Sequence, residues 1–381
     1  MPNRRVAIVG ASTSDCGRVD DKTFFQLNYQ GTTRALADAG IAKDEVDGFC
    51  SLTGALPPIE LAEYLGIRPN WVDSTGHGGS IWEFMVEHAA SAIAQGIVET
   101  VVLTYASTQR ADLKKKLRMA NLSFGTRGPI QFAAPFGHPV GSHYAMVARR
   151  HMHEFGTTLE QLSEVAVSTR FNAHLNPDAY YQDLITIDDV MNAPPVWDPL
   201  SKLHCCIRSD GGGAIVLTSE ERAKDCAKAP VWVLGTGEAV SHTTMSEWDD
   251  FTESPCVRSG KLAFDRAGVT PDEIDTAQVY DAFTPMVILT LEGLGFCKKG
   301  EGGAFVEDGR MRVGGALPTN TDGGGLSSCQ PGMRGMFLLI EAVKQLRNEC
   351  GPRQVPDAKL ACVNGTSGWF SAAGTVILGT E

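Results

Sequence analysis

The chain has no C-x-x-C pair and no cysteine–histidine spacing suited to zinc, although it holds ten cysteines. Cys362 lies inside the apolar run Leu360-Ala361-Cys362-Val363 and reads as a small buried hydrophobe. Reduced thiols and no structural metal are expected. No apolar stretch approaches the roughly 18 residues that a membrane helix requires. The N-terminus passes at once into the strand-like Val6-Ala7-Ile8-Val9-Gly10. No signal peptide is expected there, and the expected location is the cytoplasm. Positive charge is scarce: 33 Lys plus Arg stand against 45 Asp plus Glu, a net charge of −12. An acidic surface of that kind argues against nucleic acid or an anionic membrane as the main partner. The second half lacks histidine altogether, since all nine histidines lie at or before His242. Glycine, by contrast, is abundant at 41 residues, set in short clusters between apolar runs where backbone can approach a ligand.

A chain of 381 residues, 43% hydrophobic and 20% charged, has the material for two domains or one large α/β unit and is not disordered. It is also a repeat of itself. Val6-Ala7-Ile8-Val9-Gly10 and Val231-Trp232-Val233-Leu234-Gly235 are both apolar strands ending at glycine. Downstream, residues 35–47 align with residues 263–275, with six of thirteen positions identical. Each copy reads as a helix stopped by glycine (Gly40, Gly268), an Asp-Glu turn and a strand. Thr270-Pro271-Asp272-Glu273 has the grammar of a helix start. A helix then feeds a strand in both copies: Trp82 to Gln95 into Thr100–Leu103, and Met336 to Arg347 into Lys359–Val363. Strand–helix alternation predicts parallel, buried sheets. Residues 107–203 have no counterpart in the second half and form an insertion, with helices over Tyr144–Phe155 and Leu159–His174. A segment of that length between two strands is expected to be functional. The predicted halves are residues 1–225 and 226–381.

The duplicated halves, the insertion and the glycine loops together resemble the thiolase fold over nearly the whole chain. The words that point to its sterol-carrier-protein branch are Ser209-Asp210-Gly211-Gly212-Gly213, Tyr280-Asp281-Ala282-Phe283 and Asn320-Thr321-Asp322-Gly323-Gly324-Gly325. The resemblance implies an α/β fold of two βαβαβαββ-type halves in five layers, αβαβα. It also implies a coenzyme A thioester as substrate, with no permanently bound cofactor. A thiolase carries a nucleophilic cysteine at the start of the buried first-half helix. That place here is His77-Gly78-Gly79-Ser80, and no cysteine lies between 50 and 205. The family's Asn-Glu-Ala-Phe motif is here Tyr280-Asp281-Ala282-Phe283. Its Gly-His-Pro motif is here Cys329-Gln330-Pro331. Its C-terminal Cys or His before a glycine loop is replaced by Asn364-Gly365-Thr366-Ser367-Gly368.

Nucleophile and bases being lost, the chain is similar to thiolase homologues that act as aldolases on β-hydroxyacyl-CoA esters of steroid side chains. Those homologues pair with a small protein carrying a zinc ribbon and an OB-fold. The resemblance implies a retro-aldol lyase, a homodimer core paired through a sheet edge near Val101–Leu103, and a heterotetramer with that partner. Tyr280 is the leading acid/base candidate, on condition that its surroundings lower its pKa. His77, Asp281, Gln330 and Asn364 are further catalytic candidates. Backbone N–H groups of Gly78, Gly79, Ser80, Gly324, Gly325, Gly365, Ser367 and Gly368 are expected to hold the enolate oxygen. Cys329 stands beside the missing histidine as a possible surrogate. Ser367 or Ser371 stands in for a tyrosine expected near the C-terminal glycine loop, where Trp369-Phe370 follow. Gly137-His138-Pro139 copies the histidine motif within the insertion, so His138 and His143 remain open as pocket residues. Two alternatives stay open: acyl transfer with Ser80 as nucleophile, and an acyl-CoA-binding subunit without chemistry. The insertion aromatics Phe124, Phe132, Phe136, Tyr180, Tyr181 and Trp197 suggest room for a bulky acyl group.

Overall fold

The computed structural model describes residues 4–52, 54–115, 130–133, 135 and 140–381. The first half runs β1 (Val6–Thr13), α1 (Phe24–Ala39), β2 (Gly48–Cys50), α2 (Ile59–Leu65), β3 (Trp71–Asp73), α3 (Ile81–Ala94) and β4 (Thr100–Ser107). The insertion supplies α4 (Gln109–Lys114), α5 (Ile130–Ala133), α6 (Val140–Phe155), α7 (Leu159–His174), α8 (Ile187–Met191), β5 (Pro195–Trp197) and β6 (Leu200–Ser201). β7 (Gly211–Ser219) and α9 (Glu220–Ala223) close the half. The second half holds β8 (Val231–Val240), α10 (Cys256–Ala267), β9 (Thr276–Val279), α11 (Thr284–Gly293), α12 (Gly302–Phe305), α13 (Gly335–Leu346), β10 (Leu360–Ser367) and β11 (Ala372–Gly379).

The repeat seen in the sequence is a repeat of contacts. A Cβ added at Gly10 would meet the Ala35 carbonyl at 2.2 Å, and one at Gly235 would meet the Ala263 carbonyl at 2.2 Å. The same strand glycine thus lets the same helix lie close in each half. Asp47 accepts the Thr100 N–H at 2.8 Å where β4 begins, and Asp275 accepts the Leu360 N–H at 2.9 Å where β10 begins. Gly40 and Gly268 cap α1 and α10 in the left-handed conformation, each at φ 70°.

The strands form one sheet in the order β3-β2-β4-β7-β1-β8-β11-β10-β9. It is mixed, which corrects the expectation of parallel sheets. β10 and β11 are joined by residues 368–371 alone, and a connection that short forces an antiparallel pair. β4 and β7 are antiparallel in the same way, and the whole insertion occupies the place of that short turn. Helices α3 and α13 touch strands of both halves, α1 covers the outer face of β1, β7 and β4, and α10 that of β8 and β11. Five layers result, with α3 and α13 in the middle.

β4 is bonded on one side to β2 and on the other to β7, so residues 101–103 offer no sheet edge. The expected dimer edge there is corrected. The outer strand of the first half is β3, where Val72 is exposed. No helix among the described residues is long and apolar enough to cross a membrane.

Candidate active site

The N-terminus of α3 lies at the centre of the molecule. Ser80 occupies its cap position but makes no side-chain cap bond. Its hydroxyl instead lies 2.6 Å from Ser367 Oγ, at the end of β10, and its N–H donates to the same oxygen at 2.7 Å. His77 Nδ1 is 3.3 Å from Ser367 Oγ and 3.4 Å from Ser80 Oγ. His77 Nε2 is buried without a hydrogen-bond partner in the chain. Burial, with the nearby charge of His88, lowers the His77 pKa from its ordinary value, so the ring is neutral at pH 7. His88 itself is held at about 10 by Asp73 and Glu238.

Tyr280 follows β9 and packs its ring against Gly79, where a Cβ would come within 2.4 Å of it. Its oxygen accepts the Arg334 N–H at 3.2 Å and the Gln330 amide at 3.1 Å. Burial raises the phenol's pKa. That is opposite to the shift a base needs, and the hydroxyl is suited to donating. The oxygen of the Gln330 amide has no partner in the chain.

Several expected site residues are engaged elsewhere. Asp281 is fully buried and accepts the N–H groups of Gly325 at 2.7 Å and Leu326 at 3.1 Å, while the Gly324 N–H goes to Asp322 at 3.0 Å. The amides of Gly324 and Gly325, expected to face an oxyanion, are therefore spent inside the chain. Burial keeps the Asp281 carboxyl above its ordinary value, and Arg334 Nε stands 3.3 Å away. Asn364 donates to Thr375 Oγ1 at 2.8 Å, on the side where Ser259 of α10 reaches the same hydroxyl. Strand alternation leaves Gly365 and Ser367 facing α3 and turns Asn364 away. Cys329 Sγ lies 3.2 Å from Ser209 Oγ, and burial pushes its thiol far up, which removes the thiolate a nucleophile requires. Ser371 accepts the Trp369 N–H within its own turn. The Gly368 carbonyl accepts the Tyr144 hydroxyl at 2.7 Å. His143 stands 5.2 Å from Trp369, ring to ring. His138, Phe124 and Phe136 lie outside the described residues.

Two groups were missed by reading the sequence. Tyr144 stacks on Phe283 at 4.6 Å and lies 5.1 Å from Phe370, which makes it part of the site wall. Glu83, one turn after Ser80, is 1% exposed, and neither carboxyl oxygen has a partner in the chain. Burial raises it from 4.5 to about 8. The signal was present: a single acid inside Ile81-Trp82-Glu83-Phe84-Met85-Val86 has to be buried with its helix. Because the folded carboxyl keeps a proton that the unfolded chain releases, wild-type stability falls as pH rises from 4.5 to about 8. Glu83→Gln is expected to raise the urea midpoint, with a gain that grows across that window. A gain independent of pH contradicts the assignment.

A groove of about 580 Å³ opens beside α6, lined by Ala145, Met146, Trp197 and Phe251 with Arg149 and Arg150 at its rim. Trp197 is 6.1 Å from Phe283, which joins the groove to the aromatic wall. Among the described residues there is no cluster able to hold a metal ion.

Residues 237–380 match the family described as thiolase C-terminal domain-like. The chain is 35% identical, over 90% of each chain, to the steroid side-chain-cleaving aldolase of Thermomonospora curvata. It is also 35% identical to the 17-hydroxy-3-oxo-4-pregnene-20-carboxyl-CoA lyase of Mycobacterium tuberculosis, over 91% of this chain and 92% of that one. The solved Ltp2-ChsH2(DUF35) aldolase superposes with a TM-score of 0.89 and 32% identity, covering 99% of this chain and 98% of that one.

Proposed function

The chain belongs to the thiolase superfamily, in its thiolase-like aldolase branch, and on that premise we propose that it is a retro-aldol lyase. Its substrate is a bulky β-hydroxyacyl-CoA, of which a steroid side-chain ester is the leading example, and its products are a ketone or aldehyde and a shorter acyl-CoA. One observation carries this reading. Where a thiolase keeps its cysteine, this chain has Gly79 and Ser80, and beside them stands a neutral imidazole with a bare Nε2. That is a base without a thiol nucleophile.

In this account His77 Nδ1–H donates to Ser367 Oγ, which leaves the lone pair on Nε2 to take the β-hydroxyl proton. The bond between the α and β carbons then breaks, its electron pair passing into the thioester enolate as the carbonyl of the ketone forms. The N-terminus of α3 at Gly78–Gly79 supplies first-turn N–H groups and a favourable dipole for the enolate oxygen. The Tyr280 hydroxyl, oriented by Gln330 and Arg334, donates to the same charge. The groove along α6 takes the bulky acyl portion.

The partner is a DUF35-type protein with a zinc ribbon and an OB-fold, as in the complex named for the solved relative. Two copies of this chain pair through the β3 edge, and the assembly is a heterotetramer in the cytoplasm. To test the function, the chain is co-purified with such a partner and given a β-hydroxyacyl-CoA. A ketone and a shorter acyl-CoA in equal amounts are expected; intact substrate after prolonged incubation with bound ester contradicts the reading. A second reading has one observation in its favour, the contact of His77 with Ser80: acyl transfer through a serine ester. No carboxylate hydrogen-bonds to His77 among the described residues, unlike a hydrolytic triad.

A further inference from the structure

A retro-aldol cleavage has to return a proton to the α-carbon of the enolate, and the tyrosines of the site are poorly suited to supply it. Burial raises Tyr105, Tyr144 and Tyr280, so each holds its proton tightly. Glu83 differs from them in place and in surroundings. Its Oε2 lies 2.1 Å from the Cβ position of Gly365, and the Ser80 Cα lies 2.8 Å from that same point. Oε2 also lies 2.6 Å from the Cβ position of Gly335, as does the Gly79 carbonyl. The carboxyl is thus wedged between the start of α13 and β10, directly behind the 79–80 peptide whose front meets Tyr280. Two glycines leave it just enough room, and no group in the chain satisfies it. A desolvated acid without a partner is a standing expense of stability, and such groups concentrate at sites of proton transfer.

From this placement we propose that Glu83 is the proton reservoir of the lyase, acting through Ser80 on the α-carbon of the departing acyl-CoA. It is a positioning residue in that it acts through the hydroxyl in front of it. The enolate carbon takes the Ser80 hydroxyl proton, and Ser80 takes the proton of Glu83. The proton that His77 removed from the β-hydroxyl then passes through Ser367 and Ser80 to restore Glu83. Every proton is conserved and no oxidant is needed. His77 and Glu83 are neutral at pH 7 for opposite reasons, one pushed down and the other up to about 8, as an acid and a base sharing one site require.

The proposal rests on the lyase reading, and its test separates the two. In D₂O the wild-type complex, given the shorter acyl-CoA product alone, is expected to exchange its α-hydrogens for deuterium. Glu83→Gln, which keeps shape and removes the proton, is expected to slow exchange by ~100-fold or more with the dissociation constant of the product unchanged. Glu83→Asp, an acid on a shorter stem, is the second variant and is expected to fall between the two. Exchange at the wild-type rate in the glutamine variant overturns the proposal and leaves the lyase reading standing. So does a wild type that cleaves substrate but exchanges nothing. A wild type that neither cleaves nor exchanges overturns both.

Discussion

Replacing His77 by glutamine is expected to lower the rate of carbon–carbon cleavage by ~10²- to 10⁴-fold while the acyl-CoA still binds. Glutamine fills a similar volume and can still donate to Ser367, so the loss reports the missing base. His77 ordinarily titrates near 6.5 and is held lower here by burial and by the charge of His88. Protonation removes the lone pair. Activity is therefore expected to persist as pH falls through 6.5 and to be lost only below it. An acid limb at or above 6.5 contradicts the neutral-imidazole account, and full activity in the variant removes His77 from the chemistry. The measurement is the pH profile of kcat/KM, which reports ionisation in the free enzyme.

Arg334→Leu is expected to be the most damaging single change to stability, about 3–5 kcal/mol. Arg334 is 0% exposed and reaches Asp322 at 2.5 Å, the Cys329 carbonyl at 2.7 Å and Asp281 at 3.3 Å. Leucine of similar length leaves two carboxylates and a carbonyl buried without their cation. The same residues clamp the loop from Asp322 to Gln330, so the orientation of the Gln330 amide towards Tyr280 loosens as well. Urea denaturation measures the first effect. Adding Asp322→Asn to the variant is expected to recover part of the loss, because it removes one uncompensated charge. A loss below about 1 kcal/mol shows that the network is not a buried ion cluster in solution.

The repeat was legible because its residues act locally. Gly10 and Gly235 meet their own half's helix, and Asp47 and Asp275 clamp the next strand of their own half, so alignment of the copies found them. The site was legible as a place and less so as a set of roles. His77, Ser80, Ser367, Tyr280 and Gln330 do converge. The loss of the Gly324 and Gly325 amides to Asp281, some forty residues away in sequence, follows from a long-range contact that spacing does not report. Asn364 faces away from α3 because strand alternation gives that face to Gly365 and Ser367, a consequence that its neighbours already implied. Val101-Val102-Leu103 is apolar at every position, the signature of an interior strand, and the dimer edge was misplaced against that signal.

The central claim is that the chain breaks a carbon–carbon bond without forming an acyl-enzyme. Its most direct test is a titration of free coenzyme A at a fixed concentration of β-hydroxyacyl-CoA, with ketone and shorter acyl-CoA both quantified. The account predicts equal amounts of the two products at a rate independent of added coenzyme A, and no acyl adduct on the intact protein by mass. A rate that requires free coenzyme A, with one molecule consumed per turnover, or an acyl group found on Ser80, contradicts it.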